Sequence, residues 1–109
     1  MEYFAVALEQ EITEGRGTLR EVAGERLAFF RVGDEIYCID DTCSHAMASL
    51  SAGSVDGRIV TCPLHGGQFD IPTGKPVRLP VTAPVAVHPV EIRDGQVFVG
   101  LEDDEDEDY

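Results

Sequence analysis

The chain has 109 residues, 43% of them hydrophobic, so it has room for one domain and is too apolar to be disordered. It carries 21 acidic against 8 basic residues, a formal net charge of −13. This balance argues against a nucleic-acid partner, because phosphate contacts need clustered lysine and arginine, and favours a basic patch on a partner protein. The sequence shows no apolar run near the roughly 20 residues that span a bilayer, and no signal peptide. We therefore expect a cytoplasmic protein with no membrane partner.

Seven acidic residues follow one another without interruption near the end of the chain, over residues 102–108. Without them the chain still has 14 acidic against 8 basic residues, so its body is acidic in its own right. A run of like charges is typical of a solvated, disordered extension. We therefore divide the chain into one domain over residues 1–101 and an acidic, disordered tail over residues 102–109.

The elements predicted along the chain are β-strands. Apolar, β-branched or aromatic runs fit strands over residues 3–8, 18–22, 27–32, 35–39, 59–61, 90–92 and 97–99. Gly33-Asp34 between two of these runs predicts a hairpin, and so do Asp56-Gly57 and Asp94-Gly95. The sequence shows no segment with a helical period and caps at both ends, although residues 46–52 allow a short turn. The fold class predicted is all-β.

Two stretches interrupt this strand pattern, residues 41–54 and residues 62–76. The first is rich in small residues, and the second holds three glycines and three prolines. Each contains a cysteine and a histidine, in Cys43-Ser44-His45 and, sixteen residues later, in Cys62-Pro63-Leu64-His65. Loops held by a rigid scaffold are where binding chemistry tends to lie. Both loops are therefore candidate binding loops.

The residue types in these loops point to a metal cluster. An odd number of cysteines in a chain without an export signal indicates thiolate ligation or buried thiols rather than disulfides. Thiolates suit iron–sulfur clusters and imidazole suits iron, so two loops with one of each can hold a two-iron cluster from both sides. We predict that Cys43 and Cys62 bind one iron while His45 and His65 bind the other, which is the ligation of a Rieske centre.

The motifs resemble those of the Rieske ferredoxins, and among these the ferredoxin components of bacterial ring-hydroxylating dioxygenase systems. The resemblance covers nearly the whole chain, from the first strand to Val99. It is most specific at Cys43-Ser44-His45 and at residues 62–70, Cys-Pro-Leu-His-Gly-Gly-Gln-Phe-Asp, followed by Thr73-Gly74. It implies one Rieske-type [2Fe–2S] cluster and the Rieske fold, in which three antiparallel sheets stack and two loops form a cluster-binding subdomain.

The same resemblance implies an electron carrier that performs no bond chemistry and is not itself an enzyme. Such a protein passes single electrons from an NAD(P)H-dependent flavin reductase to the Rieske centre of a terminal oxygenase. That oxygenase attacks an aromatic ring, so the pathway would be the catabolism of aromatic hydrocarbons. The histidine ligands are expected at an exposed tip, and a proline-bearing loop near Leu79-Pro80 is expected to cover the cluster.

Three positions depart from the respiratory Rieske pattern. Ala48 and Leu64 correspond to the positions where those proteins carry a disulfide, and Gly67 to a serine whose hydroxyl bonds a cluster sulfide. Fewer hydrogen bonds to sulfur leave the reduced cluster less stabilised. We therefore expect a reduction potential at the low end of the Rieske range, which spans roughly −150 to +300 mV.

Several other residues have simpler interpretations. Cys38 is expected to be a buried small hydrophobe, His88 a histidine at a surface or sheet edge, and Phe69 a core residue. For Gly66 and Gly67 two interpretations stay open, an ordinary tight turn and a close approach of backbone N–H groups to a sulfide.

Three other functions deserve comparison. A complete Rieske oxygenase needs a second iron held by two histidines and a carboxylate, but the chain has three histidines and the cluster uses two. A structural zinc module would use the same two cysteines and two histidines. A small subunit of a nitrite-reductase-like enzyme is the third, but such subunits commonly lack the complete ligand set.

Overall fold

The computed structural model describes residues 1–102, so the predicted tail lies, but for residue 102, outside the described residues. The strands found in this part are β1 (Glu2–Leu8), β2 (Thr18–Val22), β3 (Glu25–Val32), β4 (Glu35–Asp40), β5 (Ser54–Asp56), β6 (Ile59–Thr61), β7 (Gln68–Asp70), β8 (Pro76–Arg78), β9 (Val87–His88), β10 (Val90–Arg93) and β11 (Gln96–Leu101). Two single-turn 3₁₀ helices cover Glu9–Glu11 and Leu50–Ala52. No helix among residues 1–102 is long and apolar enough to cross a membrane.

The strands form three antiparallel sheets. Their strand orders are β1-β11-β10, β2-β3-β4-β9 and β5-β6-β7-β8. The first sheet joins the beginning of the chain to the end of the domain, since Glu2 pairs with Leu101 and Leu8 with Gln96. The predicted all-β class and the three antiparallel sheets are confirmed.

The three predicted hairpins are also confirmed, as β3-β4, β5-β6 and β10-β11. Gly33 and Gly57 adopt positive φ angles of 63° in their turns, a conformation that glycine adopts without steric cost. The sequence pattern missed strands β5, β7, β8 and β9, although the turn after β5 was predicted. These strands are two or three residues long, and β7 and β8 begin inside the glycine- and proline-rich stretch that we predicted as a loop.

The sheet β2-β3-β4-β9 is the middle sheet, and a hydrophobic core packs on each of its faces. Alternate residues of β3 point to opposite sides, so Ala28 and Phe30 belong to one hydrophobic core and Leu27 and Phe29 to another. The first core also contains both loop cysteines. The second core contains Cys38, which is 0% exposed, and the inward side chains of β11. The fold therefore separates the loop cysteines from Cys38 by the thickness of a sheet, and the expectation of a buried Cys38 is confirmed.

Candidate metal centre

The two predicted binding loops are closed by backbone hydrogen bonds at their cysteines. In the loop after β4, the N–H of Cys43 donates to the carbonyl of Ala48 at 3.0 Å. In the loop after β6, the N–H of Cys62 donates to the carbonyl of Gly67 at 2.7 Å, and Gly66 donates back to the carbonyl of Cys62 at 3.1 Å. Gly66 has a φ of 79°, so the tight-turn interpretation holds for this residue. Each cysteine therefore lies at the base of a tight loop.

The thiols of Cys43 and Cys62 are buried side by side. Cys43 is 4% and Cys62 2% exposed, and the two residues belong to the same hydrophobic core. Burial raises the pKa of the Cys43 thiol, and the adjacent Cys62 raises it further. The backbone N–H groups of His45, at 3.5 Å, and of Ala46 are directed at the Cys43 sulfur and act in the opposite sense. The Cys43 thiol therefore ionises more readily when a cation binds it, so this pair fits a metal site.

The two histidines lie outside the thiol pair. His45 and His65 are exposed, and their ring centroids are 5.3 Å apart with an interplanar angle of 85°. The four predicted ligand residues are thus brought together as an inner sulfur pair and an outer nitrogen pair. Among the described residues, the set of three His, Cys, Asp or Glu side chains whose donor atoms all lie within 4.8 Å of one another includes none of these four residues. Two separate pairs suit a two-metal cluster better than one tetrahedral ion.

A third loop, residues 79–86 between β8 and β9, packs against the cysteines. Val81 and Val85 share the hydrophobic core of Cys43 and Cys62, and the hydroxyl of Ser44 donates to the carbonyl of Ala83 at 2.7 Å. The proline-bearing loop therefore adjoins the site, as the resemblance implied.

Gly67 sits directly against this third loop. A Cβ atom added at Gly67 would lie 2.6 Å from Cγ1 of Val81, closer than real Cβ contacts come. The glycine at this position is therefore required by close packing, a role that the sequence did not indicate.

Asp41 anchors the first loop and was missed by the sequence analysis. Its side chain is buried and accepts hydrogen bonds from the Ser49 hydroxyl at 2.5 Å, the Ser51 N–H at 2.8 Å and Arg26 at 3.3 Å. Burial alone raises the pKa of this carboxyl, but the bonds from Ser49 and Ser51 and the charge of Arg26 outweigh it and lower the pKa. An aspartate beside a strand end carries no distinguishing signal in the sequence, because its partners are set by the loop's path.

Asp70 lies at the end of β7, within the second predicted loop, and is held by two side-chain contacts. Arg58 binds its carboxylate at 2.6 Å and the Thr73 hydroxyl donates to it at 2.6 Å, and the contact with Arg58 is the main reason that its pKa is lowered. Phe69 beside it is completely buried, which confirms its core assignment. His88 lies on edge strand β9 and contacts Asp40, which confirms the expected edge position.

A buried thiol pair and an exposed imidazole pair, carried by two loops of an all-β fold, define a small iron–sulfur protein with mixed cysteine and histidine ligation. Residues 2–89 match the model of the Rieske [2Fe–2S] domain. The chain belongs to this family, and it binds one Rieske-type [2Fe–2S] cluster.

Three similar proteins indicate which kind of Rieske protein this chain is. The chain is similar to ferredoxin CarAc of Metapseudomonas resinovorans, with 46% identity over 79% of this chain and 83% of that protein. It is also similar to the anthranilate 1,2-dioxygenase ferredoxin subunit of Burkholderia cepacia, with 43% identity over 92% of this chain and 93% of that one. A solved complex of reduced oxygenase and oxidized ferredoxin in carbazole 1,9a-dioxygenase matches with a TM-score of 0.84 and 40% identity, over 89% of this chain and 100% of that chain. The chain is therefore an electron-transfer component of the ferredoxin type and not a catalyst of its own.

Proposed function

We propose that Cys43 and Cys62 bind one iron of the cluster and His45 and His65 the other. The observation that carries this assignment is that the thiol pair is buried, at 4% and 2% exposed, while the imidazole pair lies at the surface. A thiolate tolerates a site closed to water once a bound iron balances its charge, while neutral imidazoles tolerate exposure. When bound, the cluster supplies reversible transfer of one electron.

The surrounding residues support this function in two ways. Val81 and Val85 cover the thiol pair and keep water from it. The exposed rings of His45 and His65 form a tip that a partner can touch directly, which gives an electron a short path between proteins. The chain thus shields the thiolate side of its cluster from water and leaves the imidazole side accessible to a partner.

We further infer that the partners are an NAD(P)H-dependent flavin reductase and the Rieske centre of a terminal aromatic-ring dioxygenase. The support is the complex of oxygenase and ferredoxin in carbazole 1,9a-dioxygenase, which matches 89% of the length of this chain. The net charge of −13 favours partners that present basic patches. The proposal places the protein in the cytoplasm, with residues 1–101 as the electron-transfer domain and residues 102–109 as a tail.

The test is reconstitution of electron flow with purified proteins. We expect the protein to contain two irons and two acid-labile sulfides per chain, as a [2Fe–2S] cluster requires, and to become EPR-active on reduction. With a flavin reductase and an aromatic-ring dioxygenase, NADH oxidation and ring hydroxylation should depend on this protein. The Cys43→Ala variant, which lacks a thiolate ligand, is the negative control.

Two results would contradict the proposal. One zinc per chain without labile sulfide would exclude the cluster. A protein with an intact cluster that reduces none of a panel of dioxygenases, while the panel's own ferredoxins do, would exclude the partner assignment and leave the ligand assignment standing.

A further inference from the structure

A second group of metal-binding side chains lies on the opposite side of the middle sheet from the cysteine pair. Among the described residues, the donor atoms of Glu25, Asp40 and His88 all lie within 4.8 Å of one another. These residues come from three strands, β3, β4 and β9. They are remote in sequence from one another, so only the pairing of the strands assembles them.

The register of the sheet places all three side chains on one face. Leu27 pairs with Asp40, and Cys38 pairs with His88. Since side chains two residues apart on a strand point the same way, Glu25 shares the face of Leu27, and Asp40 shares the face of Cys38 and His88. Leu27 and Cys38 belong to the core that excludes the loop cysteines. The group is therefore separate from the cluster site.

The histidine ring is already directed into the group. Its Nε2 atom lies 2.8 Å from Oδ1 of Asp40, and its side chain is 17% exposed, while Asp40 is 42% exposed. The half-buried ring is thus held in one orientation, and the carboxylates remain reachable from solvent. An ion can enter from outside and keep a water molecule as a further ligand.

The local charge also favours a cation. Arg26, which adjoins Glu25 in sequence, is directed to Asp41, and the ion pairs of Arg20, Arg58 and Arg93 are likewise made with other acids. With a neutral imidazole, the two carboxylates leave two negative charges here, which a divalent ion would balance. One nitrogen and two oxygens suit zinc, whereas calcium and magnesium prefer oxygen alone.

We propose that Glu25, Asp40 and His88 form a second metal site that takes one divalent transition-metal ion, represented by Zn²⁺. The ion would join edge strand β9 to β3 and β4. Strand β9 is two residues long and directly follows the 79–86 loop that covers the cysteines. Binding to the folded state alone would stabilise the fold, and with it the attachment of that loop.

The test uses the untagged protein with its cluster in place. Zn²⁺ is titrated by calorimetry, the visible absorption of the cluster is monitored, and the thermal midpoint is measured by circular dichroism with and without Zn²⁺. The variants are His88→Gln and Glu25→Gln. Glu35→Gln is the matched control, because Glu35 is an exposed acid at the other end of β4.

We expect one zinc per chain for the wild type and for Glu35→Gln, with an unchanged cluster spectrum and a higher thermal midpoint. Loss of a residue that merely supports a ligand weakens metal binding about 10–100-fold, so His88→Gln and Glu25→Gln should bind at least about tenfold more weakly. Glu25 is exposed, so its variant tests the site even if His88→Gln is unstable. Three results would overturn the proposal: no one-to-one binding, equal binding by all variants, or zinc uptake only as the cluster absorbance disappears.

Discussion

At the scale of single residues, the three cysteines differ in which core their side chains enter. Cys43 and Cys62 face the core beneath the loops, while Cys38 faces the other core, where burial raises the pKa of its thiol. We expect Cys43→Ala and Cys62→Ala to prevent cluster assembly, because each removes one of two thiolates, and Cys38→Ala to keep it. Visible absorption and iron and sulfide content measure this. Loss of the cluster in a folded Cys38→Ala protein would show that its assignment is wrong.

The reduction potential also depends on single residues. Gly67 offers no hydroxyl to a sulfide, and the described cysteines are all free, so no disulfide braces the loops. We therefore predict a midpoint potential below about 0 mV, near about −150 mV, at the low end of the Rieske range. A redox titration followed by visible absorption gives the value. A midpoint near about +300 mV would contradict the hydrogen-bond argument.

Restoring a hydroxyl at position 67 requires a second change. Because a Cβ atom there would lie 2.6 Å from Val81, Gly67→Ser alone would displace the covering loop. We expect Gly67→Ser combined with Val81→Ala to have a higher potential than Val81→Ala alone, since the added hydroxyl can donate to a sulfide. The single Val81→Ala variant is the control for the lost packing. Equal potentials in the two proteins would mean that the hydroxyl does not reach sulfur.

At the scale of elements, the first binding loop depends on Asp41. Its carboxylate holds Ser49 and Ser51, which lie beyond Cys43 and His45, so it fixes the far end of the loop. We expect Asp41→Asn to lower the temperature at which the cluster absorbance is lost, since hydrogen bonds to a buried charge contribute about 1.5–3 kcal/mol. Asp56→Asn, a change at an exposed acid on β5, is the control and should behave as wild type.

The same carboxylate predicts a pH dependence. Its pKa is lower in the folded protein than the ordinary value of 3.8, so its stabilising effect is complete above that value and is lost as pH falls through the lowered pKa. The temperature at which the cluster absorbance is lost should therefore differ between wild type and Asp41→Asn by a constant amount from neutral pH to about 4, and the difference should shrink below that pH. A difference that shrinks already between pH 7 and 5 would contradict this account.

At the scale of the whole molecule, the acidic charge belongs to both the body and residues 102–108. If charge guides the partners together, electron transfer should slow as salt rises, because screening shortens the field to about 8 Å near 0.15 M. Truncation after Leu101 removes seven acids and leaves 14 against 8 basic residues. We expect the truncated protein to keep most of its rate and salt dependence, as measured by stopped-flow reduction with a reductase. Loss of most of the salt dependence would instead make the tail the docking element.

The sequence by itself determined the features that depend on neighbouring residues. The turns at Gly33-Asp34, Asp56-Gly57 and Asp94-Gly95 predicted their hairpins, because a turn and its flanking strands are set by local conformational preference. The spacing within the two cysteine–histidine motifs likewise indicated a shared site. The assignment of those four residues as ligands stays a prediction that the iron and sulfide analysis tests.

Only the tertiary structure decided which distant segments meet. The pairing of β1 with β11 and the group around His88 join residues far apart in sequence. The contacts of Asp41 with Ser51 and of Gly67 with Val81 join residues 10 and 14 positions apart, beyond the reach of a local pattern. Strands β7 and β8 have three residues each, too few to show an alternating pattern. They form because neighbouring strands pair with them and because Phe69 of β7 packs in the core that contains the loop cysteines. Such contacts form when the whole chain buries its apolar surface at once, and no local pattern carries that information.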